Sequence, residues 1–507
     1  MNRQRKTMVA GGHPLTSQAA IEIMEEGGNA FDGVVAAGFT AAIAEQALTS
    51  LGGGGFLLAR TSGGEEILFD FFSDTPGKGL AGNALDPHFF PVTISFSGSD
   101  QDFNIGLGSV AVPGNLKGFL HVHKRFGRLP LAKVLQPAVR AARDGVVLNH
   151  RQSQFMDLLH PIMTLSETGR SMYVKNGSYL QEGDMTHNPD LAGFLESLAD
   201  DHGESFYNGS IASAIEADMA GGNGLLTARD LAEYQVIERR PLSLQYRGFT
   251  LLTNPPPSFG GTLIGATLKL MEALPFPEMD WGSNLHLASL TAIMEEIDLH
   301  RDETVFNPFK SADSWLTTAI GRLRKFSRGT THISVSDGLG NHASMTTSNG
   351  EGSGYFVPGT GIMLNNMMGE DDLHPQGFHA SPPGRRVSSM MSPSLLMSEA
   401  GVAMVIGSGG SKRIRTAIPQ VLSNILDFGF DVQKAVDLPR IHWDGSVLQI
   451  EPGYERSAIE KLREYRQVNV WDERSVYFGG VHTISSGKPA GDPRRGGAAR
   501  IGMHGCP

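Results

Sequence analysis

Along residues 330–348, threonine or apolar side chains alternate with polar side chains. This pattern restricts the fold of the 507-residue chain more than its composition does. An extended strand points successive side chains to opposite faces, so alternation on both sides of a turn predicts a β-hairpin. The turn, "DGLGN", centres on Leu339. One face carries threonine or apolar side chains in both halves: Thr331, Ile333, Val335, Ala343, Met345 and Thr347. The other face begins with polar side chains: Thr330, His332 and Ser334.

Symmetric pairing about Leu339 sets the register of this hairpin. It places Ile333 opposite Met345 and Thr330 opposite Ser348. Directly opposite residues of an antiparallel pair have Cβ atoms ~5 Å apart, so two hydroxyl groups should meet at the open end. Threonine is common in strands, and a purely structural role for Thr330 is therefore an alternative that this pattern leaves open.

The chemistry of Thr330 offers a second interpretation. A threonine hydroxyl is a weak nucleophile unless a base lies beside it, and a free α-amino group on the same residue is such a base, with a pKa of about 7.7 to 8.0. Cleavage of the bond between Gly329 and Thr330 would create that amine. Gly329 also removes side-chain obstruction around the carbonyl that Thr330 would attack in an N-to-O acyl shift.

Composition excludes several classes of function. Hydrophobic residues make up 40% and charged residues 19%, as in soluble globular proteins, and the formal charge of -11 argues against a nucleic-acid partner. The only cysteine is Cys506, so a disulfide framework or a thiolate metal cluster within one chain is excluded. The sequence holds no zinc-binding signature, and we expect neither a metal nor another cofactor.

Localisation and membrane contact follow from the first residues of the sequence. They are basic but run directly into helix-like sequence without the apolar region of a signal peptide, so we expect a cytoplasmic protein. The segment 31–47 is apolar, yet it carries Asp32 and Glu45 and is shorter than the ~20 residues that a membrane span requires. It is predicted to be a buried helix, and no membrane partner is expected.

Helical and strand-like segments interleave along the chain without an internal repeat or a low-complexity linker, which favours one α/β body. The region 114–326 is predicted to be mostly helical. After it, "SLLMSEAGVAMVIG" predicts a hairpin that turns at Glu399–Gly401. Its second strand enters a helix through "SGGSKR", where Gly409 and Gly410 could direct backbone N–H groups at a developing oxyanion.

Three other motifs could indicate a binding site, but their spacing or setting argues against it. His121 and His123 are two apart in helical sequence, so they point to different faces and do not form a metal pair. "GSGGSKR" lacks the spacing of a phosphate-binding loop. The segment "DDLHPQGFH" groups titratable residues in a polar loop, which predicts a solvated lid: Asp371, Asp372, His374 and His379.

Nearly the whole chain resembles the gamma-glutamyltranspeptidases, self-processing N-terminal-nucleophile hydrolases related to cephalosporin acylases and oxamate amidohydrolases. The matching motifs occur in the family's order: "EEGGNAFDGVVAA", "LGGGGFLLAR", "LPLAKVLQPAVRAARDG", "NPPPSFGGT", "TTHISVSDGLGN", "GIMLNN", "SSMMSP", "GSGGSKRI" and "DPRRGGAA". The resemblance implies a four-layer αββα sandwich of the α/β class. It also implies cleavage into a large fragment, 1–329, and a small fragment, 330–507, which associate as a heterodimer.

The resemblance also assigns catalytic roles. Thr330 would be the nucleophile and, through its α-amine, the general base. Ser348 matches the family's second hydroxyl, which steadies the nucleophile. Gly409 and Gly410 resemble the glycines of the oxyanion hole, although the family reads G-S-P-G-G-S-R where this chain reads "GSGGSKR".

The substrate pocket departs from the family's pattern. Phe72 stands where the family has the arginine that clamps the α-carboxylate of a γ-glutamyl group. After "LNN", Met367 replaces a Gln or Glu, and Glu370 retains the one acidic partner for the α-amino group. The remaining substrate-binding candidates are Asn349, Ser389 and Met390. Asn349 lies one position before the asparagine of the family, and Ser389 and Met390 stand where the family has two pocket serines.

Two arginines, Arg385 and Arg386, are near enough in sequence to the pocket to replace the clamp, although their ordinary interpretation is solvated loop charge. The catalytic residues thus match the family while the glutamyl pocket is remodelled. We expect a small-molecule amide or γ-glutamyl substrate, and the sequence leaves open whether the heterodimer assembles further.

Three interpretations remain. The leading one is a self-cleaving amidase or acyltransferase that forms an acyl-enzyme on Thr330. The second is an uncleaved, non-enzymatic relative of the family. The third, from the motifs alone, is a nucleotide-binding α/β protein.

Overall fold

The computed structural model describes residues 6–80, 86–96, 99–299, 329–374 and 377–504. Within these ranges the helices are α1 Pro14–Glu25, α2 Ala30–Ala44, α3 Asn115–Phe126, α4 Leu131–Asp144, α5 His150–Met163, α6 Glu167–Tyr173, α7 Pro189–Asp201, α8 Glu204–Tyr207, α9 Ser210–Gly221, α10 Ala228–Glu233, α11 Gly260–Glu272, α12 Asn284–Leu299, α13 Ile414–Leu426, α14 Val432–Asp437 and α15 Arg456–Arg463. None of these helices combines the length and the hydropathy that a membrane span requires.

The strands of the same ranges are β1 Lys6–Gly11, β2 Gly54–Arg60, β3 Glu66–Phe71, β4 Phe90–Phe96, β5 Ser99–Ile105, β6 Val146–Val147, β7 Val174–Lys175, β8 Ser178–Tyr179, β9 Met185–Thr186, β10 Ile237–Arg239, β11 Leu242–Tyr246, β12 Phe249–Thr253, β13 Thr331–Ser336, β14 His342–Ser348, β15 Phe356–Val357, β16 Ile362–Met363, β17 Ser394–Ser398, β18 Gly401–Gly409, β19 Ile441–Trp443, β20 Leu448–Ile450, β21 Val468–Val470, β22 Gly480–Ser485, β23 Lys488–Ala490 and β24 Ala498–Met503.

Two antiparallel sheets form the centre of the molecule. The first has the order β10-β3-β2-β14-β13-β1-β24, and the second has the order β11-β12-β17-β18-β22-β23. Strands β13 and β14 of the first sheet contact β18 of the second, so the sheets pack face to face. Helices α1 and α2 cover the outer side of the first sheet, and α11, α13 and α14 cover the outer side of the second. The result is the four-layer αββα arrangement that the family resemblance implies.

The central hairpin has the predicted register. Ile333 pairs with Met345 and Val335 pairs with Ala343, as symmetry about Leu339 requires. The apolar face packs with α2 in one hydrophobic core. The polar face meets the second sheet, where the Ser334 hydroxyl donates to the carbonyl of His482 at 3.0 Å. The alternation of the sequence therefore reflects two different neighbouring layers.

Helix α2 begins as predicted but ends at Ala44 rather than at residue 47. At its start Asn29 and Asp32 form a reciprocal capping box. At its end Glu45 leaves the helical conformation, and its carboxylate accepts hydrogen bonds from Thr16 and Thr331. These tertiary contacts fix the end of the helix, which the hydrophobic pattern of the sequence extended too far.

The later hairpin is confirmed, since β17 ends at Ser398 and β18 starts at Gly401. Strand β18 then leads through a short 3₁₀ turn into α13. The region from residue 114 is mostly helical, but it also contributes β11 and β12 to the edge of the second sheet. The predictions for residues 300–326 and for Cys506 fall outside the described residues.

Candidate active site

Two hydroxyl groups meet at the open end of the central hairpin. Thr330 directly precedes β13 and is 3% exposed, and its Oγ1 donates to the Oγ of Ser348 at 3.4 Å. The Ser348 hydroxyl in turn donates to the carbonyl oxygen of Gly329 at 2.5 Å. The predicted pair is therefore present, and it forms a relay from the hydroxyl of Thr330 to the carbonyl of the preceding residue.

Two further backbone groups of this dipeptide are also bound. The Gly329 N–H donates to Oε1 of Glu351 at 3.2 Å, and the Thr330 carbonyl accepts from Nη1 of Arg495 at 2.9 Å. A Cβ on Gly329 would lie 2.4 Å from the carbonyl oxygen of Gly350, so a side chain is excluded here. Hydrogen bonds therefore hold the backbone on both sides of the peptide bond between Gly329 and Thr330.

Gly409 and Gly410 lie against the same residues. A Cβ on Gly409 would be 2.2 Å from the carbonyl oxygen of Thr330, and a Cβ on Gly410 would be 3.4 Å from Nη2 of Arg495. Gly410 has φ +116°, a conformation that residues with a side chain rarely adopt. Gly409 is thus adjacent to Thr330 and Gly410 to Arg495, and the role of the two glycines as oxyanion donors stays a prediction.

Thr331 points to the opposite face from Thr330 and binds Glu45. Burial raises the pKa of the Glu45 carboxyl to about 6, while the hydrogen bonds from Thr331 and Thr16 and the charge of Arg495 act in the other direction. Thr331 therefore joins the hairpin to the end of α2, and it is not aimed at the peptide bond before Thr330.

His332 lies between the two sheets. Its ring nitrogens contact the hydroxyls of Thr346 at 2.8 Å and Ser334 at 3.0 Å. Burial lowers the pKa of His332 well below its ordinary value, so the ring is neutral at pH 7. A Cβ on Gly407 would lie 2.2 Å from Cε1 of this ring, and the glycine therefore makes room for it.

Arg495 and Glu351 are site residues that the sequence analysis did not assign. Arg495 lies within "DPRRGGAA", and Glu351 directly follows Gly350. Burial lowers the pKa of Arg495 to about 10, which still leaves it protonated at neutral pH. Only the position of Arg495 in a quoted motif hinted at a role, since nothing local connects it with Thr330.

Phe72, Met367 and Met390 belong to one hydrophobic core. The ring of Phe72 stacks on Phe56 with centroids 5.4 Å apart, and the sulfur of Met367 accepts a hydrogen bond from Ser73. This core lies close to the hydroxyl pair because Ser348 pairs with Gly54, where a Cβ would approach Phe72 and Ser73. The position of the family's carboxylate clamp is occupied by apolar packing.

The expectation that Arg386 is a solvated charge is wrong. Its side chain is 6% exposed and pairs with Asp70 at 3.5 Å and Asp74 at 3.2 Å. It also donates to the carbonyl of Phe72 and to the hydroxyl of Tyr234. Arg386 is therefore held inside the protein by Asp74 and by Asp70, which also pairs with Arg239 at 2.8 Å. Arg385 is exposed, and it lines a cavity of about 200 Å³ together with Ser258, His374 and Ser388.

The other predicted substrate residues are buried. A Cβ on Gly350 would lie 2.5 Å from Oε1 of Glu370 and 2.0 Å from Oδ1 of Asn366, which brings Glu370 to the end of β14. Asn349 is 1% exposed, and neither polar atom of its side chain has a hydrogen-bond partner among the described residues. Ser389 accepts a hydrogen bond from the N–H of Met391 at 3.1 Å. Their substrate contacts stay predictions.

Three minor predictions can be compared with the structure. His121 contacts Glu238 whereas His123 contacts the carbonyl of Leu129, so the two rings diverge as expected. The solvated lid is wrong for His374, which is buried and bonded to the carbonyl of Met367 at 2.9 Å. His374 is buried because the main chain offers its ring a partner inside the protein.

The segment "GSGGSKR", residues 407–413, is buried as well. Arg413 is 1% exposed, and its guanidinium lies 3.8 Å from the ring centroid of Tyr477. This cation is used inside the protein, which agrees with the missing phosphate-loop spacing.

Comparison with known proteins gives a consistent result. The sequence model described as gamma-glutamyltranspeptidase matches residues 16–314 and 310–501. The glutathione hydrolase proenzyme of Escherichia coli (strain K12) is 31% identical over 504 residues, covering 91% of this chain and 85% of the relative. An acylase ACY 1 proenzyme of Pseudomonas sp. (strain V22) is 31% identical over 481 residues, covering 90% and 86%.

The fold is also similar to solved structures. The crystal structure of a cephalosporin acylase from Bacillus halodurans superposes with a TM-score of 0.82 at 25% identity, covering 98% of this chain and 96% of that one. The similarity thus extends over both central sheets and their helical layers.

Proposed function

Because this chain belongs to the gamma-glutamyltranspeptidase family of enzymes, we propose that it is a self-processing amidohydrolase or acyltransferase with Thr330 as its nucleophile. The observation that carries the proposal is the relay in which Thr330 donates to Ser348 and Ser348 donates to the carbonyl of Gly329. This relay links the attacking hydroxyl to the carbonyl that it would attack.

Self-cleavage would begin with attack of Thr330 Oγ1 on the carbonyl carbon of Gly329. Ser348 would accept the proton of the attacking hydroxyl and give its own proton to the carbonyl oxygen. Breakage of the C–N bond would then release the amine of Thr330 and leave an ester between Gly329 and Thr330 Oγ1. Water would hydrolyse this ester, giving a carboxylate on Gly329 and a free threonine N-terminus.

Turnover would repeat the same chemistry on an amide substrate. The α-amine of Thr330 would take the hydroxyl proton during attack and deliver it to the leaving amine, so that an acyl ester forms on Thr330. Water or an acceptor amine would then take the acyl group. Backbone N–H groups near Gly409 and Gly410 would stabilise the oxyanion, a contribution that commonly reaches about 10²-fold in rate.

Both fragments would stay in one body after cleavage. The first sheet contains β1, β2, β3 and β10 from before residue 329 and β13, β14 and β24 from after it. The second sheet likewise combines β11 and β12 with strands of the later part. Cleavage would therefore produce an intertwined heterodimer held by β-ladders.

The substrate would be a small amide. The relatives named above are a glutathione hydrolase proenzyme and an acylase proenzyme. In this chain, apolar packing of Phe72 at the clamp position favours an acyl group without the glutamyl α-carboxylate. Desolvating a carboxylate against this surface without a free cation is unfavourable.

The proposal is tested by intact mass spectrometry and N-terminal sequencing of the purified protein. Wild type should give a fragment that starts at Thr330, Thr330→Ala should stay full length, and Thr330→Ser should still be cut because it keeps a hydroxyl. Thr331→Ala is the matched control, since that hydroxyl binds Glu45 instead, and it should be cut. Cleavage of Thr330→Ala at the same bond would refute the assignment.

A further inference from the structure

Glu351 is a buried carboxylate that contacts Gly329, the residue before the proposed cleavage site. It is 2% exposed, and its Oε1 accepts the N–H of Gly329 at 3.2 Å, while its Oε2 lies 3.5 Å from Nδ2 of Asn366. The N–H of Glu351 is bound to Oδ1 of Asn366 at 2.9 Å, so the residue is anchored independently of Gly329.

Self-cleavage, on which this inference rests, would change the charge around Glu351. Gly329 would gain a carboxylate close to Glu351 and to Glu370, which lies beside Gly350. Departure of the new C-terminus would take this N–H away from Oε1 of Glu351 and leave space for an acyl group on Thr330.

Gly329 also serves as a template for the acyl group of a substrate. Self-cleavage and turnover both form an ester on Thr330 Oγ1, so both acyl groups extend from the same atom. In the uncut chain, the atom that contacts Glu351 is the nitrogen on the first carbon after the acyl carbonyl. An amine near the same place on a substrate would carry a positive charge and bind more strongly than the neutral N–H of Gly329.

The same template restricts the first carbon of the acyl group. A Cβ on Gly329 would lie 2.4 Å from the carbonyl oxygen of Gly350 and 2.8 Å from that of Ala47. Both atoms belong to the backbone and cannot rotate away as a side chain would. An acyl donor with an L-side chain at this carbon is therefore disfavoured relative to one with a CH₂ group.

We propose that Glu351 binds the ammonium group of an unbranched aminoacyl donor, such as a glycyl, β-alanyl or 4-aminobutyryl amide. The donor has a CH₂ group beside the acyl carbonyl. It has no carboxylate, because Phe72 occupies the place of the clamp and the side chain of Arg386 is paired with Asp70 and Asp74. Glu351 thus determines the specificity of the acyl site.

The test uses processed wild-type enzyme and p-nitroanilides of three amino acids, glycine, β-alanine and 4-aminobutyrate, with acetyl, propionyl and butyryl anilides as neutral partners of equal length. At pH 7, kcat/KM for at least one amino donor should exceed that of its neutral partner by about tenfold or more. L-alanyl anilide should be about tenfold slower than the glycyl compound.

Glu351→Gln should bring the ratio of amino to neutral donor close to one, whereas Glu399→Gln, in the exposed turn between β17 and β18, should leave it unchanged. If Glu351→Gln is not processed, the wild-type series decides alone. Equal or faster turnover of the neutral donors overturns the inference and leaves the proposed function intact. An equal loss for all donors in Glu351→Gln also overturns it, because Glu351 would then act on Thr330.

If wild-type protein stays uncut and inactive, the proposed function is refuted, and this inference is refuted with it. The two failures are distinguishable because processing is read by mass spectrometry before any substrate is added.

Discussion

The guanidinium of Arg495 donates a hydrogen bond of 2.9 Å to the carbonyl oxygen of Thr330. Both groups are buried, and the two residues are 165 positions apart in the sequence. The guanidinium of Arg495 also lies 5.9 Å from the ring centroid of Phe155, which limits its movement. Arg495 therefore fixes the backbone of the proposed nucleophile without contacting its hydroxyl in the described structure.

Replacing Arg495 should affect the rate more than substrate binding. We expect Arg495→Met to lower kcat of the processed enzyme by about 10- to 100-fold with a smaller change in KM, because a displacement of ~1 Å at a nucleophile has effects of this size. Arg495→Lys should retain part of the activity. Steady-state kinetics would check this, with Arg500→Met on the exposed part of β24 as the control. A change in KM alone would contradict a positioning role.

Removing the Ser348 hydroxyl should slow both cleavage and turnover. Ser348→Ala loses the donor to the carbonyl of Gly329, and the loss of one such donor costs about 10²-fold in rate. The fraction of uncut chain should be followed over time on denaturing gels. Ser344→Ala is the matched control, because that hydroxyl lies on the same strand and donates to the carbonyl of Ile406. Cleavage of Ser348→Ala at the wild-type rate would exclude the relay.

The stability of the protein should depend on pH through Glu45. Burial raises the pKa of Glu45 from 4.5 to about 6, so the folded state holds this proton more tightly than the unfolded state. The free energy of unfolding should therefore fall as pH rises between 4.5 and 6. The change corresponds to about 2 kcal/mol and should be absent in Glu45→Gln.

Urea unfolding of wild type and Glu45→Gln at several pH values would measure this contribution, since the other titrating groups are common to both proteins. Glu464→Gln, which removes an exposed carboxyl group, should leave the pH dependence of wild type unchanged. If the difference in free energy of unfolding between wild type and Glu45→Gln does not vary between pH 4.5 and 6, the pKa of Glu45 is not raised.

A γ-glutamyl anilide should be a poor substrate. It differs from the 4-aminobutyryl compound only by a carboxylate, which would meet the apolar surface of Phe72, Met367 and Met390, while Arg386 is already paired with Asp74. We expect a lower kcat/KM for the γ-glutamyl compound, and glutaryl and butyryl anilides separate the effects of amine and carboxylate. A γ-glutamyl value of about 10⁴ M⁻¹s⁻¹ or above that exceeds the others would restore the standard transpeptidase specificity.

The sequence by itself determined the register of the central hairpin and the hydroxyl pair at its open end. The hairpin register followed from alternation about Leu339, and the pairs at Ile333 and Val335 confirm it. This succeeded because side-chain direction in a strand depends only on parity, and the position of Ser348 relative to Thr330 follows from the turn. The motifs indicated the family because each of them is a local stretch of sequence and they occur along the chain in the family's order.

Only the tertiary structure decided which charges serve the site. Arg386 has the sequence environment of a loop arginine, but packing places it between Asp70 and Asp74 and removes it as a clamp. Arg495 reaches Thr330 through the folding of a distant segment against the central sheets. Burial makes an unpaired charge costly, so each buried charge takes the partner that the fold brings near, and sequence spacing does not contain that information.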